Sequence, residues 1–163
     1  MAKQVPARGL SANDSTAKGV VAQLFTRENK SYRYYQAKDI AVAVGNVVEY
    51  STTAGAVTKD RAAGTSVGRV AAGVAVATIT AGNYGWIQVA GTCSVTVPAK
   101  GVVAAGGGLI PHPTSDGGVS STLTYSITTT KGTVHQVFAY ALGADTATTS
   151  AAGTVVVALT RAC

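Results

Sequence analysis

Two histidines, two cysteines and seven carboxylates are the chain's stock of groups for binding a metal, attacking a substrate or moving a proton. His112 lies between Pro111 and Pro113 in what reads as a rigid turn, and His135 lies within a strand-like stretch. No HExxH, CxxC or EF-hand spacing surrounds either of them. The carboxylates are Asp14, Glu28, Asp39, Glu49, Asp60, Asp116 and Asp145. Most sit at turn or loop positions, where short acidic side chains bond local backbone. The glycines at 106–108 lack the Lys-Ser/Thr that completes a phosphate loop, and no GxSxG elbow occurs. The expectation is a protein that is not an enzyme and uses no cofactor or metal.

The two cysteines make no disulfide framework. Cys93 alternates with Val95 and Val97, so it reads as a small buried hydrophobe. Cys163 is the last residue of the sequence.

Residues suited to contact are easier to find. Tyr32, Tyr34 and Tyr35 are three of seven tyrosines, set beside Arg33 and Lys38. Aromatic rings among basic groups stack on bases or grip a partner surface, and they also make an ordinary strand with amphipathic side chains. Tyr84, Trp86 and Gln88 alternate with Ile87 and Val89, which places the first three on one face of a strand. Tyr and Trp are enriched at interfaces, and a largely buried core Trp is the other reading of the same face.

The elements that must position these residues follow from composition. Among 163 residues, 29 are Ala, 23 Val, 22 Thr and 19 Gly, with six Leu, one Met and two Phe. Charged residues are 12%, about half of average usage. A long-helix protein would need more Glu, Lys and Leu, and a disordered chain more charge. Val and Thr suit a pleated surface and Gly supplies turns. The expected fold is all-β, a compact small sandwich or barrel of about eight to ten short strands with an extended N-terminal arm.

Strands are expected over 20–26 and 31–37, and a period-2 pattern runs through Ile40, Val42 and Val44. Further strands are expected over 47–50, from 57, over 67–79 with a bulge or close approach at Gly68 or Gly73, and over 84–89. Gly91 is expected to lead into a separate strand over 92–97, which Pro98 ends. Later strands are expected over 122–130, 133–142 and 154–160. In the second of these, Val134, Gln136, Phe138, Tyr140 and Leu142 are placed on one side.

The net charge is +6, and seven of 13 basic residues fall in the first 38 positions. They are Lys3, Arg8, Lys18, Arg27, Lys30, Arg33 and Lys38. The division read from this is a basic arm over 1–38 and a β-domain over 39–163. A basic arm can meet nucleic acid or an acidic protein surface, and nucleic acid is the less expected of the two. The longest apolar stretches fall far short of the ~20 residues of a membrane helix, and residues 1–25 do not read as a signal peptide. Synthesis in a cytoplasm is expected.

Residues 73–76, Gly-Val-Ala-Val, lead to Ile-Thr-Ala-Gly-Asn-Tyr-Gly-Trp-Ile-Gln-Val-Ala-Gly over 79–91. This order, continued by 95–97, Leu109-Ile110, 137–143 and 155–159, resembles the small capsid decoration (cement) proteins of tailed bacteriophages. The resemblance spans roughly residues 39–163 and implies a non-enzymatic virion protein on the outer capsid surface. It implies a homo-oligomer, with a trimer favoured, that bridges neighbouring major capsid proteins. It also implies an arm reaching along the shell. The contact residues expected on this reading are Phe25, Arg27, Tyr32, Arg33, Tyr34, Tyr35, Tyr84, Trp86 and Gln88.

Overall fold

The computed structural model describes residues 9–60, 66–99, 101–112, 115–121, 137–146 and 152–160, with backbone alone at 66–69 and 145–146. Every regular element among them is a strand. In chain order these are β1 (Leu24–Arg27), β2 (Lys30–Ala37), β3 (Val47–Ser51), β4 (Ala56–Thr58), β5 (Ser66–Ala75) and β6 (Tyr84–Val97). Then come β7 (Val102–Val103), β8 (Gly108–Pro111), β9 (Val119–Ser121), β10 (Ala139–Ala141), β11 (Asp145–Thr146) and β12 (Gly153–Leu159). The expected strand over 122–130, His135 and Cys163 lie outside the described residues.

Five strands close on themselves. β2 pairs with β4, β4 with β3, β3 with β5, β5 with β6, and β6 again with β2. The ring encloses Tyr35, Ala37, Val42, Val48, Val57, Ala72, Ala75, Ile79 and Ile87. A second layer, β12-β10-β8-β9, continues from the far half of β6. It packs on the outside of the ring, where Val47, Ala71 and Val74 meet Val95, Val97, Leu109, Val119, Phe138, Val155 and Val157. The molecule is thus a small barrel with a sandwich layer on one flank, all-β as expected. Closure also removes edges that an open sheet would leave unpaired.

Alternation along each strand explains these cores. On β12, Val155, Val157 and Leu159 are buried while Thr154 and Val156 are exposed. On β5 the alternation slips by one at Gly73. Ala72 and Ala75 point into the ring, Ala71 and Val74 out of it. The register shows the cause: Val48 pairs with Gly73 but Glu49 with Ala71, so one residue of β5 is extra. A β-carbon at Gly73 would lie 2.3 Å from the Gln88 carbonyl oxygen, and φ there is 146°. Only glycine fits both demands.

Three expectations need correction. Residues 24–37 are not an appendage to the domain. β2 is a wall of the ring, bonded to β6 on one side and β4 on the other. The basic charge of that segment misled, because it rides on the outer and end positions of a structural strand. The 40–44 stretch is not a strand. It makes a single bridge, Val42 to Ile79, before Asn46 Oδ1 accepts the Ala43 N–H at 3.0 Å in a turn. Val42 is buried and Val44 is exposed. Finally, Gly91 does not separate two strands. β6 runs through it for 14 residues, leaving β2 at Ala90 and taking up β12 at Gly91. Its φ of 90° bends the strand without stopping it.

The β1–β2 connection is a two-residue hairpin closed by Arg27 and Lys30. Glu28 and Asn29 both have positive φ, 51° and 61°. That is the type I′ requirement, which Asn-Gly meets best. Glu28 holds a left-handed conformation that costs an ordinary residue roughly 1–2 kcal/mol. The Glu28→Asn/Asn29→Gly double variant is expected to gain about 1 kcal/mol. Thermal unfolding would register this as a rise of about 2–4 °C. The Arg27–Glu28 ion pair it removes is exposed on both sides and contributes little.

Candidate interaction surface

β2 and β6 lie side by side with Tyr34 opposite Trp86, Tyr32 opposite Gln88 and Gln36 opposite Tyr84. Strand parity sends Tyr32, Tyr34, Tyr84, Trp86 and Gln88 to the outside of the ring. β1 adds Phe25, opposite Tyr32. The rings pack as a cluster. Tyr34 and Trp86 centroids are 5.1 Å apart, Phe25 and Trp86 5.9 Å, and Tyr34 and Tyr84 stack at 5.9 Å. Such offset and tilted pairs are the favoured aromatic arrangements.

This outer cluster is covered by residues 10–14 of the same chain. Ala12 and Leu10 pack on it. Asp14 and Tyr84 exchange backbone bonds at 2.9 and 2.7 Å, and the Tyr34 hydroxyl donates to Asp14 Oδ2 at 2.9 Å. Asn13 fastens the strap to the turn before β6. Its Nδ2 donates to Thr80 Oγ1, while its Oδ1 accepts from the Thr80 N–H and from Asn83 Nδ2. Burial and the Asp14 bond raise the Tyr34 pKa above its ordinary value. Burial likewise raises that of Tyr32. Gln88 Nε2 donates to the carbonyls of Ala90 and Thr92 at 3.1 and 3.0 Å, so its amide is used within the bend of β6.

The nine contact candidates therefore fall into two groups. Tyr32, Tyr34, Tyr35, Trp86 and Gln88 are buried within the chain. Tyr35 faces the ring interior, edge-on to Tyr50 at 6.0 Å. Phe25, Arg33 and Tyr84 are half-buried, and Arg27 is exposed. A hydrogen bond with Tyr35 holds the Arg33 guanidinium in its charged form, its pKa raised from the usual value. What the hairpin leaves for a partner is Arg27, the flanks of Phe25 and Tyr84, and the Arg33 end of the ring.

A second exposed patch escaped the sequence reading. Tyr140, Leu142 and Val156 are exposed on the outer face of the second layer, 48%, 56% and 51% respectively. Tyr140 pairs with Ala158, and the Leu142 N–H donates to the Val156 carbonyl, so the three adjoin. Expecting Phe138, Tyr140 and Leu142 on one side hid this. Phe138 precedes β10 and turns into the core, while Ala139 and Ala141 take the inward positions of the strand. The small, buried Ala139 and Ala141 were the available signal.

Cys93 packs against the core between ring and outer layer. Burial pushes its thiol up to about 12, with Lys30 opposing the shift. Reactivity belongs to the thiolate. In a Cys163→Ser background, alkylation of native protein at pH 8 is expected to be at least ~100-fold slower than in urea. Both states keep the proton below the ordinary thiol pKa. Stability therefore falls only as pH rises above that value toward 12, where the unfolded chain ionises first.

No protein-family model matches the chain, and no characterised protein matches it in sequence. Among solved structures, it is similar to the head fibre gp8.5 N base of bacteriophage phi29. The similarity covers 80% of this chain and 94% of that one, at 17% identity and a TM-score of 0.49.

Proposed function

We propose that the chain is a virion structural protein of a tailed bacteriophage, acting as a capsid decoration protein. In this role it binds the outer head surface and bridges neighbouring major capsid proteins, without catalysis. What supports the reading is the 73–91 pattern, which resembles that of cement proteins. In this fold the pattern supplies the Gly73 bulge, the Gly82 turn, the Trp86 face and the Gly91 bend, which together close the ring and attach the second layer. Oligomerisation, with a trimer favoured, suits the uncharged Tyr140/Leu142/Val156 patch, since apolar sheet faces gain by burial against a neighbour.

Purified protein mixed with decoration-free heads is expected to bind saturably and to raise the temperature at which the heads release DNA. Absence of binding at saturating concentration would remove the decoration reading. Another virion β-module, whether a head-fibre base, a tail component or a receptor- or glycan-binding domain, is the second reading, and micrographs separate the two. Label spread over the whole head lattice supports decoration, whereas label confined to discrete fibre positions or to the tail supports the other.

A further inference from the structure

β1 is bonded on one side only. It ends the order β1-β2-β4-β3-β5-β6, and among the described residues nothing pairs with its outer edge. In an antiparallel ladder, bonded and non-bonded pairs alternate. The hairpin closes on Arg27 and Lys30, so Arg27 and Phe25 direct their N–H and C=O groups at β2. Leu24 and Thr26 direct theirs outward, and both residues are exposed. Proteins usually blunt such an edge with proline, a bulge or a mid-strand charge. Leu24, Phe25 and Thr26 offer none of these, and the one charge, Arg27, stands at the strand's end.

The charges around this edge are mostly positive. Arg27 and its cross-strand partner Lys30 share one side of the hairpin, and Arg33, half-buried and bonded to Tyr35, stands opposite Leu24 on the other. The only carboxylate on the hairpin, Glu28, lies 3.0 Å from Arg27 Nε. A second copy pairing through β1 would bring these cations together, which disfavours that occupant. The two faces also differ. Phe25 and Arg27 share one side of the strand, Leu24 and Thr26 the other.

We propose that β1 takes up an extended acidic segment of a partner as an added strand. Carboxylates fall on the Arg27 side and apolar residues on the Leu24 side, while the outward groups of Leu24 and Thr26 supply the backbone bonds. The inference says what the head surface must offer, and it rests on the decoration reading only for the partner's identity.

The test follows amide hydrogen exchange in the full-length, isotope-labelled chain. One probe is an alternating Glu-Val octapeptide with blocked ends, the other its Lys-Val counterpart. The acidic peptide is expected to slow exchange at Leu24 and Thr26 roughly tenfold, as near-saturation requires, and the basic one to leave it unchanged. Thr26→Pro removes an outward N–H at an edge position where proline is tolerated, and should abolish the response. Arg27→Glu should reverse the peptide preference and keeps the question open to an answer if Thr26→Pro does not fold. Equal protection by both peptides, protection by neither, or protection of Leu24 and Thr26 without peptide through self-pairing would each overturn the inference.

Decoration-free heads separate it from the reading above. If the unaltered chain binds heads and Thr26→Pro and Arg27→Glu bind equally well, the added strand is wrong and decoration stands. If the unaltered chain does not bind heads, decoration falls and the peptide result alone decides the edge.

Discussion

Gly73→Ala is expected to cost about 3–6 kcal/mol, enough to leave little folded protein, since native domains hold only about 5–15 kcal/mol in reserve. Two effects combine. The backbone at Gly73 adopts φ 146°, and the added methyl would meet the Gln88 carbonyl at 2.3 Å and the Ile87 side chain at 2.8 Å. A carbonyl inside a ladder cannot swing aside as the end of a long side chain can. β5 and β6 would have to separate where β5 closes the ring, at Val74–Gln88 and Ala75–Ile87. Gly82 provides the control. Its φ is 83°, yet nothing lies within 4 Å of an added β-carbon. Gly82→Ala should therefore cost only the backbone share, roughly 1–2 kcal/mol. Urea unfolding of both variants measures the difference. Equal costs would mean that the close approach at Gly73 does not govern the closure of the ring.

Trp86→Ala is the other large effect, with an expected loss of about 3–5 kcal/mol. The ring contacts Tyr34 and Phe25 directly and is 5% exposed. Removing it leaves a void between the ring wall and the strap over 10–14, and the strap loses the surface it lies on. Trp86→Phe keeps most of the contact and should cost much less. As the only tryptophan, Trp86 also reports on itself. In the native protein its fluorescence should resist acrylamide quenching, and quenching should rise sharply on unfolding. Free quenching in the native state would show the strap to be open. The same burial governs how head binding by Trp86 variants is read. A loss that disappears once affinity is referred to the folded fraction belongs to the core of the protein and not to its contact surface.

Much of this was legible in the residues. The abundance of Val, Thr and Gly pointed to an all-β chain, and alternation put Val95 and Val97 on one face of a strand, the face that packs in the core. It also put Tyr84, Trp86 and Gln88 on one face. Cys93, expected to be buried, packs against the core but is only partly buried. Four things were not legible, each for a physical cause. Charge density sets residues 1–38 apart, whereas pairing with partners some 50 residues away makes 30–37 part of the ring. Nothing local announces a long-range pairing. Glycine at 91 looked like punctuation, because a turn and a bend within a strand use the same positive φ. The aromatic cluster was found as a set of residues, but its cover came from Leu10, Ala12, Asn13 and Asp14, a stretch whose composition resembles a loop. The exposure of Tyr140, Leu142 and Val156 does not follow from parity through Phe138, because the strand begins one residue later.

The continuity of β6 through Gly91 has a mechanical consequence. Ring and outer layer are joined by one unbroken strand as well as by packed side chains. A pull that tries to part the two layers along that strand travels through covalent backbone into two ladders, β2–β6 and β6–β12, whose bonds lie across the line of force. Bonds loaded together in shear must yield together, whereas bonds loaded at one end open in succession like a zipper. On the decoration reading proposed above, strain along β6 would be the first kind of load, and β6 would act as a tie between the two layers.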